Sequence, residues 1–108
     1  MAALSAKLRS VGFGAAGDGI AFWCPGCNEA HAIRTEGEGG QFNQAQWQWD
    51  GNVDAPTISP SILVRANFSP EDGGPDVCHS FVRAGQIEFL GDCTHALKGQ
   101  TVPLPDWP

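Results

Sequence analysis

The sequence has few basic residues. Only 6 of its 108 residues are Lys or Arg, against 12 that are Asp or Glu, so the formal net charge is −6 at pH 7. The six cations are scattered along the chain and form no basic stripe. Neutralisation of phosphates supplies most of the affinity of proteins for nucleic acids. The composition therefore argues against a nucleic acid as partner.

Long apolar runs are also missing. No stretch approaches the roughly 20 apolar residues that a membrane-spanning helix needs. Lys7 and Arg9 interrupt the segment in which a secretory signal would require an uninterrupted apolar run. We therefore expect a cytoplasmic protein that has no membrane partner.

Turn-forming residues are frequent in the sequence, and this disfavours helices. It contains 14 Gly and 8 Pro, a composition that favours short strands joined by tight loops. Its length predicts a single domain covering residues 1–108, in which residues 1–18 could form a loose N-terminal segment. We predict a small, mostly β domain of antiparallel hairpins with a zinc-ribbon-like site and little helix.

Two segments have the pattern of a hairpin. Residues 19–35 place the turn CPGC between two apolar runs, and residues 78–95 (CHSFVRAGQIEFLGDCTH) place Ala84-Gly85 between two others. Side chains alternate between the two faces of a strand. In the second hairpin this alternation puts Cys78 and Cys93 on the apolar face and His79 on the opposite face.

The chain has four cysteines, and their spacing predicts a metal site. A Cys-x-x-Cys turn points two thiolates at one spot, and two further cysteines at the open end of the other hairpin complete the tetrahedral set that Zn²⁺ prefers. The predicted ligands are Cys24, Cys27, Cys78 and Cys93. A disulfide framework, a redox-active pair and ordinary buried thiols are the alternatives. A redox pair normally opens a helix, and none is predicted here.

All three histidines lie close to a cysteine. His31, His79 and His95 could therefore replace a cysteine ligand or brace the thiolates through hydrogen bonds. His79 and His95 could also gather with Asp92 into a polar cluster, because an Asp–His pair orients an imidazole for proton transfer. The sequence shows no recognisable order of Ser, His and Asp and no nucleophile elbow.

Several marked segments follow one another between residues 22 and 107: FWCPGC, HAI, W-x-W-D/N-G, PTISPSILVR, CHSFV, GQIEFLGDCTHAL-x-G and LPDW. Together they resemble a family of small phage and prophage proteins whose members are often mislabelled ammonia monooxygenase. The resemblance covers most of residues 22–107 and implies a phage-encoded protein that carries zinc, without implying an activity. Ammonia oxidation belongs to a membrane-embedded copper enzyme, for which this chain lacks both a membrane span and suitable ligands.

These observations favour a binding protein over an enzyme. A zinc site closed by four sulfurs has no open position for a substrate. We therefore expect a zinc-binding phage or prophage accessory protein in the host cytoplasm, whose partner is a host or phage protein such as a defence or regulatory component. One alternative is a zinc-dependent hydrolase that uses His79, Asp92 and His95 beside an open metal position. A virion or assembly component is a second alternative.

Overall fold

The computed structural model of the chain describes residues 1–39, 45–69 and 74–108. Nine strands form two antiparallel sheets, with orders β1-β2-β3-β4 and β5-β6-β7-β8-β9. The prediction of a mostly β fold is confirmed. The strands are β1 (Ala2–Ala3), β2 (Leu8–Gly12), β3 (Asp18–Cys24), β4 (Glu29–Glu36), β5 (Gln48–Trp49), β6 (Ile58–Ser69), β7 (Gly74–Arg83), β8 (Gln86–Phe89) and β9 (Thr101–Pro103).

Helical structure is limited to one short 3₁₀ turn, Gly14–Ala16, within the described ranges. No helix among these residues is long and apolar enough to cross a membrane. The segment 1–18, predicted as a possible loose start, carries β1 and β2. Leu8 from this segment is fully buried in the core.

Both predicted hairpins are present. β3 and β4 flank the CPGC turn, and β7 and β8 flank Ala84-Gly85. Ala84 and Gly85 both have a positive φ, at 49° and 78°, as a two-residue turn requires if it is to match the twist of its strands. The turn sets the register Val82↔Ile87 and Ser80↔Phe89, as a two-residue turn at Ala84-Gly85 requires.

β6 departs from a regular ladder at its start. Ile58 pairs with Val82 and Ile62 pairs with Ser80, so residues 59–61 of β6 face a single residue of β7. A bulge of this kind bends the strand and re-aims its side chains, and such bulges are common next to active sites. Ser61 is the last residue of the bulge.

The core lies between the two sheets. Its members come from both sheets and from the C-terminal tail, so the sheets bury their apolar faces against each other. They include Leu8, Ile20, Phe22 and Ile33 of the first sheet, Ile58, Ile62, Val82, Ile87 and Phe89 of the second, and Leu104.

Candidate active site and metal centre

Strand β7 carries different types of side chain on its two faces. Cys78 and Ser80 are buried toward the core, and His79 lies on the opposite, outer face, where about a quarter (26%) of its side chain is exposed. Neighbouring residues of a strand point to opposite faces. The sulfur and the imidazole therefore belong to two separate sites, one on each side of the sheet.

The outer site is a chain of two hydrogen bonds centred on His79. Its Nε2 lies 2.9 Å from Ser61 Oγ and its Nδ1 lies 3.0 Å from Asp92 Oδ2. An ionised carboxylate only accepts hydrogen bonds, so Asp92 fixes the proton on Nδ1 and leaves Nε2 to accept from the Ser61 hydroxyl. This is the arrangement of nucleophile, base and orienting acid found in serine hydrolases.

The backbone of Ser61 lies between the bulge in β6 and the indole of Trp47. The bulge ends at Ser61, and regular pairing with β7 resumes at Ile62. The carbonyl oxygen of Ser61 accepts a hydrogen bond of 3.2 Å from the indole Nε1 of Trp47. The indole therefore holds the backbone of the serine from the side opposite β7.

Cys93 holds the backbone of His79. Its Sγ accepts from the His79 N–H and donates to the His79 carbonyl oxygen, both at 3.2 Å. Asp92 lies in the preceding turn, which the 3.2 Å bond from the Cys93 N–H to the Leu90 carbonyl closes. The buried thiol of Cys93 thus connects the turn that contains Asp92, through hydrogen bonds, to the strand that contains His79.

The inner site is a cluster of sulfur and imidazole ligands. Cys24, Cys27, His31 and Cys78 bring their ligand atoms within 4.8 Å of one another and could hold a metal ion. The Sγ atoms of Cys24 and Cys78 lie 3.8 Å apart, and the Cys27 N–H donates to Cys24 Sγ at 3.4 Å. The hairpin β3–β4 supplies three of the four ligands and β7 supplies the fourth.

The chemistry of this cluster fits a cation. The hydrogen bond from Cys78 lowers the pKa of the Cys24 thiol to about 4, and the same contact together with burial raises the pKa of Cys78. Burial and the charge of Cys24 raise the pKa of Cys27 to about 12. The three sulfurs thus crowd one another, and a cation among them would favour the thiolate form of each. In addition, Nε2 of His31 is buried and has no hydrogen-bond partner among the described residues.

A second group joins the first through Cys78. Its members are Cys78, Cys93 and His95, again within 4.8 Å of one another. His95 packs edge-on against Phe89, with 4.5 Å between ring centroids, and its Nδ1 accepts from the Leu97 N–H at 3.2 Å. His95 thus sits on the metal side of the sheet.

The structure sorts the predicted site residues into these two sites. It brings His79 and Asp92 together on the outer face and leaves His95 on the inner one. It groups three of the predicted cysteine ligands with His31, and it places Cys93 beside Cys78 but in contact with the His79 backbone. The four-cysteine ligand set stays a prediction.

Ser61 is the site residue that the sequence reasoning missed. Ser61 lies in β6 and His79 lies in β7. The two side chains meet because β6 and β7 pair with Leu63 opposite His79. The signal available in the sequence was the pair of apolar runs on either side of the polar segment 69–76. Pairing those runs as a hairpin would have placed Ser61 on the face of His79.

A family model describes residues 5–90 of the chain. The model is that of BubE, the serine protease of a bacterial ubiquitination-like system. The chain belongs to the BubE family. No curated protein and no solved structure is significantly similar to it. The matched residues include Ser61, His79 and the four grouped metal ligands and end before Asp92, whose place in the site rests on geometry.

Membership of the BubE family overturns the function predicted from the sequence. The family is described as a protease, so the expectation of a non-enzymatic accessory protein that docks on a host protein is wrong, as is the preference for a binding protein over an enzyme. The family description does not support the metal-dependent hydrolase or the virion component either. The nucleophile of a serine protease is the hydroxyl group of a serine. The prediction failed because Ser61 was not associated with His79.

The resemblance to small phage and prophage proteins is a separate matter. The BubE match does not bear on it, so it stays a prediction. The same holds for a host or phage protein as partner and for the absence of a nucleic-acid partner.

Proposed function

We propose that the chain is a serine peptidase in which Ser61 is the nucleophile, His79 the general base and Asp92 the group that orients the imidazole. The observation that carries this proposal is the continuous chain of hydrogen bonds from Ser61 Oγ through both ring nitrogens to Asp92 Oδ2, at 2.9 and 3.0 Å. The description of the BubE family as a serine protease supports the same chemistry.

In this mechanism His79 accepts and returns a proton in each of two half-reactions. Ser61 Oγ attacks the carbonyl carbon of the scissile bond as Nε2 takes the hydroxyl proton, and Nε2 then gives that proton to the leaving group. A water molecule, deprotonated by the same nitrogen, then attacks the acyl-enzyme, and Nε2 returns the second proton to Ser61 Oγ as the acid product leaves. Asp92 stabilises the imidazolium that forms in both steps without itself becoming protonated.

We propose a protein of a bacterial ubiquitination-like system as the substrate, on the strength of the family description. We also propose the cytoplasm as the place of action. All four cysteines are free thiols, which is typical of proteins from a reducing compartment.

The inner cluster is proposed to bind Zn²⁺ through Cys24, Cys27, His31 and Cys78. Three sulfurs and one imidazole form a tetrahedral set that is common in structural zinc sites, and such a closed site has no position for substrate. The ion would therefore stabilise the fold and take no part in bond cleavage. In this proposal Cys93 does not bind the ion and keeps its hydrogen bonds to the His79 backbone.

Substitutions separate this ligand set from the four-cysteine set. We expect His31→Ala to lower the bound zinc from one ion per chain to well below one, because the site loses a ligand. Cys93→Ala should keep one ion. Metal content is measured by atomic emission on purified protein at matched concentration, with Cys93→Ser as a control that retains a hydrogen-bonding group. Loss of zinc in Cys93→Ala with retention in His31→Ala would instead establish the four-cysteine site.

Covalent labelling tests the proposed nucleophile. We expect a fluorophosphonate carrying a fluorophore to label the wild-type protein and to leave Ser61→Ala unlabelled, as followed by in-gel fluorescence. Ser59→Ala is the matched control, because Ser59 is an exposed serine of the same bulge and should leave the labelling rate unchanged. Equal labelling of Ser61→Ala and the wild type would rule out Ser61 as the nucleophile.

A further inference from the structure

Beyond Ser61, the outer edge of β6 has backbone groups that bond to no described residue. Leu63 and Arg65 stand opposite His79 and Val77 of β7. The backbone groups of His79 and Val77 bond on the far side of β7, to Leu90, Cys93 and Thr94, so these two pairs are non-hydrogen-bonded pairs of the antiparallel ladder. The backbone groups of Leu63 and Arg65 therefore point away from β7. On that side β5 pairs only with Ile58 and Ser59, and no described residue makes a hydrogen bond to the backbone of Leu63 or Arg65 there.

The side chain of Leu63 lies beside the catalytic imidazole. Leu63 is directly opposite His79 in the β6–β7 ladder, and side chains of such opposed residues approach each other closely. It also shares a face with Ser61, two residues earlier. Leu63 is 46% exposed, whereas the large apolar residues of the core are nearly inaccessible. An apolar surface thus adjoins the reactive serine.

We infer that the substrate polypeptide adds to the free edge of β6 as an extended strand, with an apolar side chain over Leu63. This inference rests on the proposed peptidase function of Ser61. Addition of a strand to a sheet edge draws affinity from main-chain hydrogen bonds and specificity from alternate side chains. A strand advances about 3.3 Å per residue, so a segment paired with Leu63 and Arg65 brings its next residues to Ser61 Oγ.

This mode of binding determines which substrates can be cut. The main chain of the substrate must be free to pair with β6, so the cleaved segment has to be extended rather than helical or part of another sheet. Flexible tails and linkers satisfy this requirement, and folded domains do not. The site would therefore cut a protein within an extended segment and leave its folded parts intact.

Labelling rates with two probes test the inference. The first is a plain alkyl fluorophosphonate, and the second is a mixture of tripeptidyl diphenyl phosphonates with apolar side chains. Leu63→Ser removes the apolar side chain without placing a charge beside His79. In this variant we expect the ratio of the peptidyl to the alkyl labelling rate to fall about tenfold, the size of one lost apolar contact. Leu4→Ser is the matched control, since Leu4 is another exposed leucine (39%) and lies outside the second sheet.

The two probes also separate this inference from the peptidase proposal. If neither probe modifies Ser61, the peptidase function is wrong. If the alkyl probe labels Ser61 and the peptidyl probe has no rate advantage in the wild type, or loses none in Leu63→Ser, strand addition at β6 is overturned.

Amide hydrogen exchange gives a second readout that needs no substitution. In the free protein the amides of Leu63 and Arg65 should exchange much faster than those of Ile62 and Val64, which are bonded to β7. Attachment of the peptidyl probe to Ser61 should slow the first pair, and the alkyl probe should not. A Leu63 amide that is already as protected as that of Val64 in the free protein would contradict an open edge.

Discussion

Ser61→Ala is expected to lower kcat by about 10⁴-fold or more, because the residues of a catalytic triad act as a unit. His79→Ala should cost about as much, and the double variant should be no slower than either single one. Non-additivity of this kind distinguishes a shared catalytic step from two separate structural effects.

Asp92→Asn should retain the fold and still lower kcat by about 10³-fold or more, since an amide does not fix the tautomer of His79 as a carboxylate does.

The measurement is the steady-state kcat on a fluorogenic peptide selected with the wild-type protein from a positional library. Ser59→Ala serves as the control for changes in the bulge. Circular dichroism and metal content of each variant exclude unfolding as the cause of a lost rate. If Ser61→Ala retained more than about a tenth of the wild-type kcat, far above what a missing nucleophile allows, another group would be the nucleophile.

Removal of the metal is the second change with a large expected effect. The four ligands come from both sheets, so an ion bound by them joins the hairpin β3–β4 to strand β7. Binding free energy at such a site contributes directly to folding, and a loss of only a few kcal/mol lowers Tm by more than about 10 °C in a domain of this size. We therefore expect a strong chelator to lower Tm by at least that amount and to abolish peptidase activity.

Activity should be lost with the metal because the two sites share a strand. Cys78 and His79 are adjacent in β7, and the Cys93 thiol holds the His79 backbone. Thermal melts and kcat are measured with and without chelator, and Zn²⁺ is then added back to restore both. Ser61→Ala is the control, since it should show the same change in Tm while having no activity to lose. An unchanged Tm after complete removal of metal would contradict a stabilising role for the ion.

Local patterns in the sequence were enough to predict the hairpins. The positive φ angles that a tight turn needs are supplied by Gly85 and its neighbour Ala84, and the turn then sets the register of β7 and β8. From that register alone, strand alternation separated Cys78 from His79. This separation holds in the structure, and it is the reason that the proposed metal ligand Cys78 and the proposed base His79 occupy opposite faces.

The catalytic site could not be predicted in the same way because it depends on a non-local contact. Ser61 meets His79 only through the pairing of β6 with β7, and the bulge at residues 59–61 shifts the register by two residues within that pairing. No short motif marks this serine, as a nucleophile elbow would. Without Ser61, the His79–Asp92 pair was assigned to the neighbouring metal, and the wrong functional class followed.

The cysteines illustrate a further limit of spacing arguments. Cys93 was placed on the correct side of the second hairpin, and it does lie beside Cys78. Its thiol also bonds to the backbone of His79, and the alternation of side chains along a strand cannot distinguish such a contact from metal ligation. His31 faces the cluster as well, because alternation along β4 buries it with Ile33.

The most direct test of the catalytic assignment is to identify the residue that carries the covalent adduct in the unaltered chain. Wild-type protein is reacted with the alkyl fluorophosphonate and digested, and the modified peptide is sequenced by tandem mass spectrometry. We expect a single phosphonyl group on Ser61, with Ser59 unmodified and no adduct after denaturation of the protein beforehand. An adduct on any other residue, or none on Ser61 in the folded, metal-loaded protein, would contradict a Ser61–His79–Asp92 peptidase.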